Sequence, residues 1–167
     1  MDIMTAIQDR RSIRKYQPKE IESEKRNLIA EVFRLAPSAR NLQNWQLLWI
    51  EDLETKEKIR HATLGHASMV AEAPAVLVAV GFSQEVMTCG HRVDSVDLSI
   101  AMSFVMLEAH SVGLGTCWMG SFIEEDVIKA LNLPKGTSVA AISPIGYPDE
   151  APDARPRKAL EETFKVI

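Results

Sequence analysis

Residues 93–112 constrain the fold of this chain more than any other stretch. They read as one long helix, and beyond Leu98 its apolar side chains (Ile100, Ala101, Met102, Phe104, Val105, Met106, Leu107) occupy much of the circumference. A helix with so little polar face belongs at the centre of a protein or in a subunit interface. Gly113 and Gly115 end it. Upstream, Pro74 precedes residues 75–80, Ala-Val-Leu-Val-Ala-Val, a continuous apolar run typical of a strand buried on both faces. A buried helix beside a buried strand, in a chain of 167 residues, fits one domain with a layered α+β fold.

The remaining segments supply the outer layers. Residues 2–9 are expected to form a short helix capped by Asp2, with Ile3 and Ile7 on one face. Residues 10–22 read as a loop. Ser23 is the expected cap of a helix running to Ala36, whose stripe is Leu28, Ile29, Val32, Phe33 and Leu35 and which Pro37 stops. Strands are expected at 46–51, 116–119 and 138–147, and helices at 53–64, 66–73 and 124–132. No G-x-G-x-x-G or G-x-x-x-x-G-K fingerprint is present, which argues against a standard dinucleotide fold or a P-loop.

Charge narrows the function classes. Nineteen Lys and Arg against 23 Asp and Glu give a net charge of -4, the wrong sign for general nucleic-acid binding. No apolar run approaches the roughly 18 residues that cross a bilayer, and the first residues carry no basic, then apolar, leader pattern. No membrane partner and a cytoplasmic location are therefore expected. Cys89 and Cys117 read as reduced thiols, since two cysteines make no disulfide framework. His61, His66, His91 and His110 lack metal-ligand spacing, so no metal site is expected.

Within this acidic chain, Arg10, Arg11, Ser12 and Arg14 concentrate three guanidinium groups and a hydroxyl in five residues. A second basic cluster, Arg155-Pro156-Arg157-Lys158, lies near the other end. Guanidinium forks take phosphate oxygens two at a time, so the two ends are expected to converge on one phosphorylated ligand. The plainer alternative is a solvated turn after a short helix. Residues 37–45 form a polar loop in which Ser38, Asn41, Gln43 and Asn44 offer donors and acceptors, either to a ligand or to the loop's own backbone. Residues 113–122, Gly-Leu-Gly-Thr-Cys-Trp-Met-Gly-Ser-Phe, would let a backbone approach a flat ligand, or simply turn a helix into a strand. Cys117 has no sequence-evident catalytic partner and reads as packing.

Taken in order, residues 10–16 (Arg-Arg-Ser-Ile-Arg-Lys-Tyr), 36–45 (Ala-Pro-Ser-Ala-Arg-Asn-Leu-Gln-Asn-Trp), 113–122 and 145–148 (Ile-Gly-Tyr-Pro), with Arg155 and Arg157, resemble the nitroreductase family of FMN-dependent oxidoreductases. The resemblance spans the whole chain. It implies one FMN-binding domain over 1–167, a mixed central sheet flanked by helices, and an intertwined homodimer with FMN at the subunit interface. By the same resemblance Arg10, Arg11, Ser12 and Arg14 hold the phosphate and ribityl chain, and Arg155 and Arg157 close on the phosphate from the tail. Pro37, Ser38, Ala39 and Asn41 come from the partner subunit. Trp118, Met119, Gly120 and Ser121 lie along the isoalloxazine, with a main-chain N–H near N5.

The implied reaction passes a hydride from NADH or NADPH through flavin N5 to a small-molecule acceptor such as a nitroaromatic or quinone, in a ping-pong cycle. The flavin does the redox chemistry, and no catalytic side chain is expected. The chain departs from the family in three places. Asn44 stands where proline commonly precedes the loop tryptophan; His66 and Met69 stand where larger members carry an amide and a lysine; and the chain is short for the family. These departures motivate an alternative, a flavin-binding carrier or sensor without NAD(P)H turnover. A deiodinase-like or flavin-fragmenting relative is a third reading, and the lack of a long lid insertion counts against its deiodinase form.

Overall fold

The structure is a computed structural model that describes residues 1–65 and 67–167. Among the described residues seven α-helices and four strands follow one another, with a 3-10 turn at Ala39–Asn41 between α2 and β1: α1 (Ile3–Asp9), α2 (Ser23–Leu35), β1 (Trp45–Ile50), α3 (Leu53–Ala62), α4 (Ala67–Glu72), β2 (Ala75–Gly81), α5 (Val93–Ser111), β3 (Gly115–Thr116), α6 (Glu124–Ala130), β4 (Ser138–Gly146) and α7 (Leu160–Thr163). No helix among the described residues is long and apolar enough to cross a membrane.

The four strands stand in the order β1-β2-β4-β3, each pair antiparallel, with a register shift between Ala79 and Val80. The parallel component of a mixed sheet is a single bridge, Ser12 to Thr116. Every residue of β2 is buried, because both faces of the sheet are covered. Side chains alternate along a strand, so β2 feeds two cores. Val76, Val78 and Val80 face Ile59, Val70, Val127 and Ile142 beneath α3, α4 and α6. Leu77 and Ala79 face Ile29, Phe33, Leu98, Met102 and Val105 beneath α2 and α5. The result is a three-layer α+β domain.

Several local expectations meet corrections. Asp2 does cap α1, its carboxylate accepting the Thr5 N–H at 3.1 Å. Ser23 does not cap α2. It is the first helical residue, Glu22 holds the cap position without a side-chain bond, and the Ser23 hydroxyl turns to Glu24. The strand expected at 116–119 shrinks to Gly115–Thr116, because the chain leaves the ladder after Thr116 and, among the described residues, pairs with β4 again through the Met119–Ile142 bridge. A short helix, α7, appears in the tail, where the sequence reading assigned no element.

The loop after α1 is laced to the sheet edge. The Ile13 N–H donates to Thr116 O at 2.9 Å, the Gln17 N–H to Tyr147 O at 2.9 Å, and the Asp149 N–H to Lys15 O at 2.9 Å. Gly115 permits this approach: a Cβ there would lie 2.6 Å from Ile13 Cγ1. The beginning of the chain is thereby held against the segment that leads into the tail.

Candidate functional site

Helix α1 ends at Asp9, and Arg10 occupies its cap position with extended backbone. Arg11 turns back on the helix end, its Nη1 donating to Gln8 O at 2.7 Å and Arg10 O at 3.0 Å, where a cation meets the negative pole of the helix. Arg14 Nη1 donates to Ser12 O at 3.2 Å, and the Arg14 N–H donates to the Glu150 carboxylate. The loop geometry therefore aims three guanidinium groups into a small volume.

A cavity of about 610 Å³ opens there. Arg10, Arg11, Ser12 and Arg14 line it from the early loop, Arg155 and Arg157 from the tail, and Asp153 is its one acidic lining residue. None of these five arginines belongs to an ion pair among the described residues. Arg10 Nη1 is buried and has no hydrogen-bond partner. Burial, then the neighbouring charges of Arg157 and Arg11, hold the Arg10 guanidinium below the ordinary arginine range. A buried guanidinium nitrogen without a partner, crowded by other cations, is a place that an anion would complete.

The segment beyond β3 continues from the same edge. Cys117 is buried, and burial pushes its thiol up, against the opposing influence of Arg14, Ser12 and Arg10. Its side chain packs in the core beneath α3 and α6. Trp118 is half-buried, while Gly120 and Ser121 are exposed. Met119 packs in the core beneath α3 and α6, and its N–H is spent on Ile142 O at 2.9 Å. The N–H groups of Gly120 and Ser121 donate to no backbone or side-chain acceptor among the described residues. Ser121 anchors the far end, its hydroxyl donating to Leu64 O at 3.1 Å and its carbonyl accepting the Leu64 N–H at 3.0 Å.

The polar loop stands apart. Pro37, Ser38, Ala39 and Asn41 do not line the arginine cavity. Gln43 instead borders a separate cavity beside Phe33 and Trp45. The loop is knotted on itself, with the Ser38 hydroxyl accepting the Gln43 N–H at 3.1 Å and Ser38 O accepting the Asn41 N–H at 2.9 Å. One protomer thus brings together the two arginine clusters, Ser12 and the start of the 117–121 strip, and leaves the amide loop elsewhere.

Of the two departures near α4, His66 lies outside the described residues, and Met69 is 3% exposed and packed in the core. Two buried carboxylates escaped the reading of the sequence as site elements, Asp94 and Asp97 of α5. Asp94 accepts the Ser83 N–H and the Ser138 hydroxyl; Asp97 accepts the Ala39 N–H at 3.0 Å. The available signal was two acids three residues apart, just ahead of the long apolar run of that helix.

Comparison with known proteins places this geometry in a lineage. The profile of the nitroreductase family matches residues 7–69 and 61–147. A Methanothermobacter thermautotrophicus protein, provisionally named NADH dehydrogenase/NAD(P)H nitroreductase, is 33% identical over 159 residues, covering 93% of this chain and 82% of its own length. A nitroreductase family protein from Clostridium novyi NT superposes with a TM-score of 0.85 at 29% identity, over 92% of this chain and 89% of that one. An FMN-dependent nitroreductase from Clostridium difficile R20291 superposes with a TM-score of 0.84 at 29% identity, over 98% of both chains. The ordered motifs, the three-layer sheet and these matches agree, and the chain belongs to the nitroreductase family.

Proposed function

We propose that this protein is an FMN-dependent NAD(P)H oxidoreductase that works as a homodimer and reduces a small acceptor such as a nitroaromatic or quinone in a ping-pong cycle. The observation that carries the reading is the arginine cavity, where five guanidinium groups from both ends of the chain converge and Arg10 Nη1 is buried without a partner. FMN fits that demand because its phosphate offers acceptor oxygens to charged forks. When bound, FMN supplies the redox chemistry, taking hydride from NAD(P)H and giving it to the acceptor.

The protein's own residues bind and orient. Arg10, Arg11, Arg14, Arg155 and Arg157, with the Ser12 hydroxyl, hold the phosphate. The strip Trp118 to Ser121 lies against the ring, and the N–H groups of Gly120 and Ser121 are its donors, since that of Met119 is committed to the sheet. Pro37, Ser38, Ala39 and Asn41 of the partner subunit complete the pocket. Apolar side chains left in water support the dimer: Ile3, Met4 and Ile7 on α1, Phe104 on α5, and Leu160, Phe164 and Val166 in the tail are all exposed.

The test is the visible spectrum of the purified protein, before and after anaerobic NADH or NADPH. A yellow protein that bleaches with the nucleotide and regains colour on adding a quinone is expected. A protein that takes up no FMN refutes the reading. One that binds FMN yet stays coloured under NADH and NADPH is a flavin carrier or sensor instead.

A further inference from the structure

We infer that Asp97 is the positioning residue that shapes the amide loop for its place in the partner subunit's cofactor pocket, an inference that rests on the function proposed above. Asp97 is 7% exposed, inside α5, among neighbours that include the fully buried Leu98, Ala101 and Met102. A carboxylate there is costly unless it is bonded. Its one hydrogen bond among the described residues runs 58 positions along the chain to the Ala39 N–H, at 3.0 Å.

What it holds is a strained loop. Arg40 (φ 53°), Asn41 (φ 55°) and Gln43 (φ 52°) all adopt left-handed backbone, and none is glycine. Such conformations persist when their surroundings over-determine them, and they concentrate where ligands are gripped. The other restraints are the loop's own bonds, the Phe82 N–H to Asn44 O at 3.0 Å, and an exposed Arg40–Glu85 ion pair. Exposed pairs hold weakly. Phe82 ties the Asn44 end of the loop to the end of β2, and Asp97 ties the Ala39 end to α5 of the packed core. It is not needed to seat α5, because Asp94 already ties the start of that helix to Ser83 and Ser138. Its bond therefore serves the loop, and through the loop the pocket that Pro37, Ser38, Ala39 and Asn41 enter.

Two readouts test this in the full-length dimer: FMN affinity by titration, and amide exchange at Ala39. Asp97→Ala is expected to speed exchange at Ala39 and to weaken FMN binding by about tenfold. Asp97→Asn, whose side-chain oxygen still accepts the N–H, is expected to stay within about threefold of wild type, a rescue that tracks the bond and not the charge. Ala39→Pro removes the same bond from the donor side and covers the case in which Asp97→Ala fails to fold. Ser38 is already extended (φ -135°, ψ 158°), as a residue before proline requires. Ala39→Pro is expected to match the loss of affinity. Wild-type FMN affinity in Asp97→Ala or in Ala39→Pro, with or without faster exchange, overturns the inference alone. Failure of the wild type itself to take up FMN overturns it together with the proposed function.

Discussion

Arg10 is held between two other arginines, Arg11 beside it in sequence and Arg157 beside it in space, and all three lower the tolerance of the site for an empty pocket. Arg10→Ala and Arg157→Ala are each expected to weaken FMN binding by about 1.5–3 kcal/mol, roughly tenfold or more, because each removes a charge-assisted partner of the phosphate. Fluorescence titration of FMN reads this directly, and unchanged affinity in both variants would place the phosphate elsewhere. Arg157 is exposed and unpaired, so its loss should leave the melting temperature of the cofactor-free protein undiminished. The arginines were legible in the sequence because a cationic run in an acidic chain is a local signal. Asp97 was not. A helix apolar around most of its circumference has no stripe to mark its inward face, so an acid within it reads as solvated wherever it falls.

At the scale of elements, the buried strand and buried helix were legible for the same reason that they matter: their apolar runs have no polar alternation to confuse. Their junction was not. Gly81 closes β2 directly against Asp94 of α5, and a Cβ there would lie 2.4 Å from the Asp94 Cγ. Gly81→Ala is therefore expected to push the start of α5 off the sheet and to destabilise the fold by about 1–3 kcal/mol, as overpacking does. Denaturant unfolding checks it, as a lower midpoint at unchanged slope. Boundaries failed where the deciding partner was distant. β3 stops at Thr116 because Met119 pairs with Ile142 alone, and α7 is four residues long, too short to carry a period.

At the scale of the molecule, the arginines and the amide loop of one protomer serve different pockets in the proposed dimer. Mixing makes that testable. Homodimers of Arg10→Ala and of Asp97→Ala should each bind FMN weakly. A mixed dimer combines the intact arginines of the Asp97→Ala chain with the intact loop of the Arg10→Ala chain, and should recover one full-strength site per dimer. Titration of co-expressed, tag-separated chains reads the stoichiometry, and no recovery would mean that the loop acts within its own subunit. Such a division of labour, as the proposed dimer would have it, is invisible to a reading of one chain by local pattern, since nothing in residues 37–45 says which copy they face.

The meeting of Arg10 with Arg157 also has a consequence in time. During synthesis the first cluster leaves the ribosome with its positive charges unmatched, and the second emerges only after β4 has been made. In the proposed function FMN capture needs both clusters, and so follows synthesis of all four strands of the sheet. Residues 151–167 are largely exposed and contribute little to either core. Under the proposed function, a chain cut before Arg155 keeps every residue of both cores but loses two of the five cavity arginines, and is expected to bind FMN weakly.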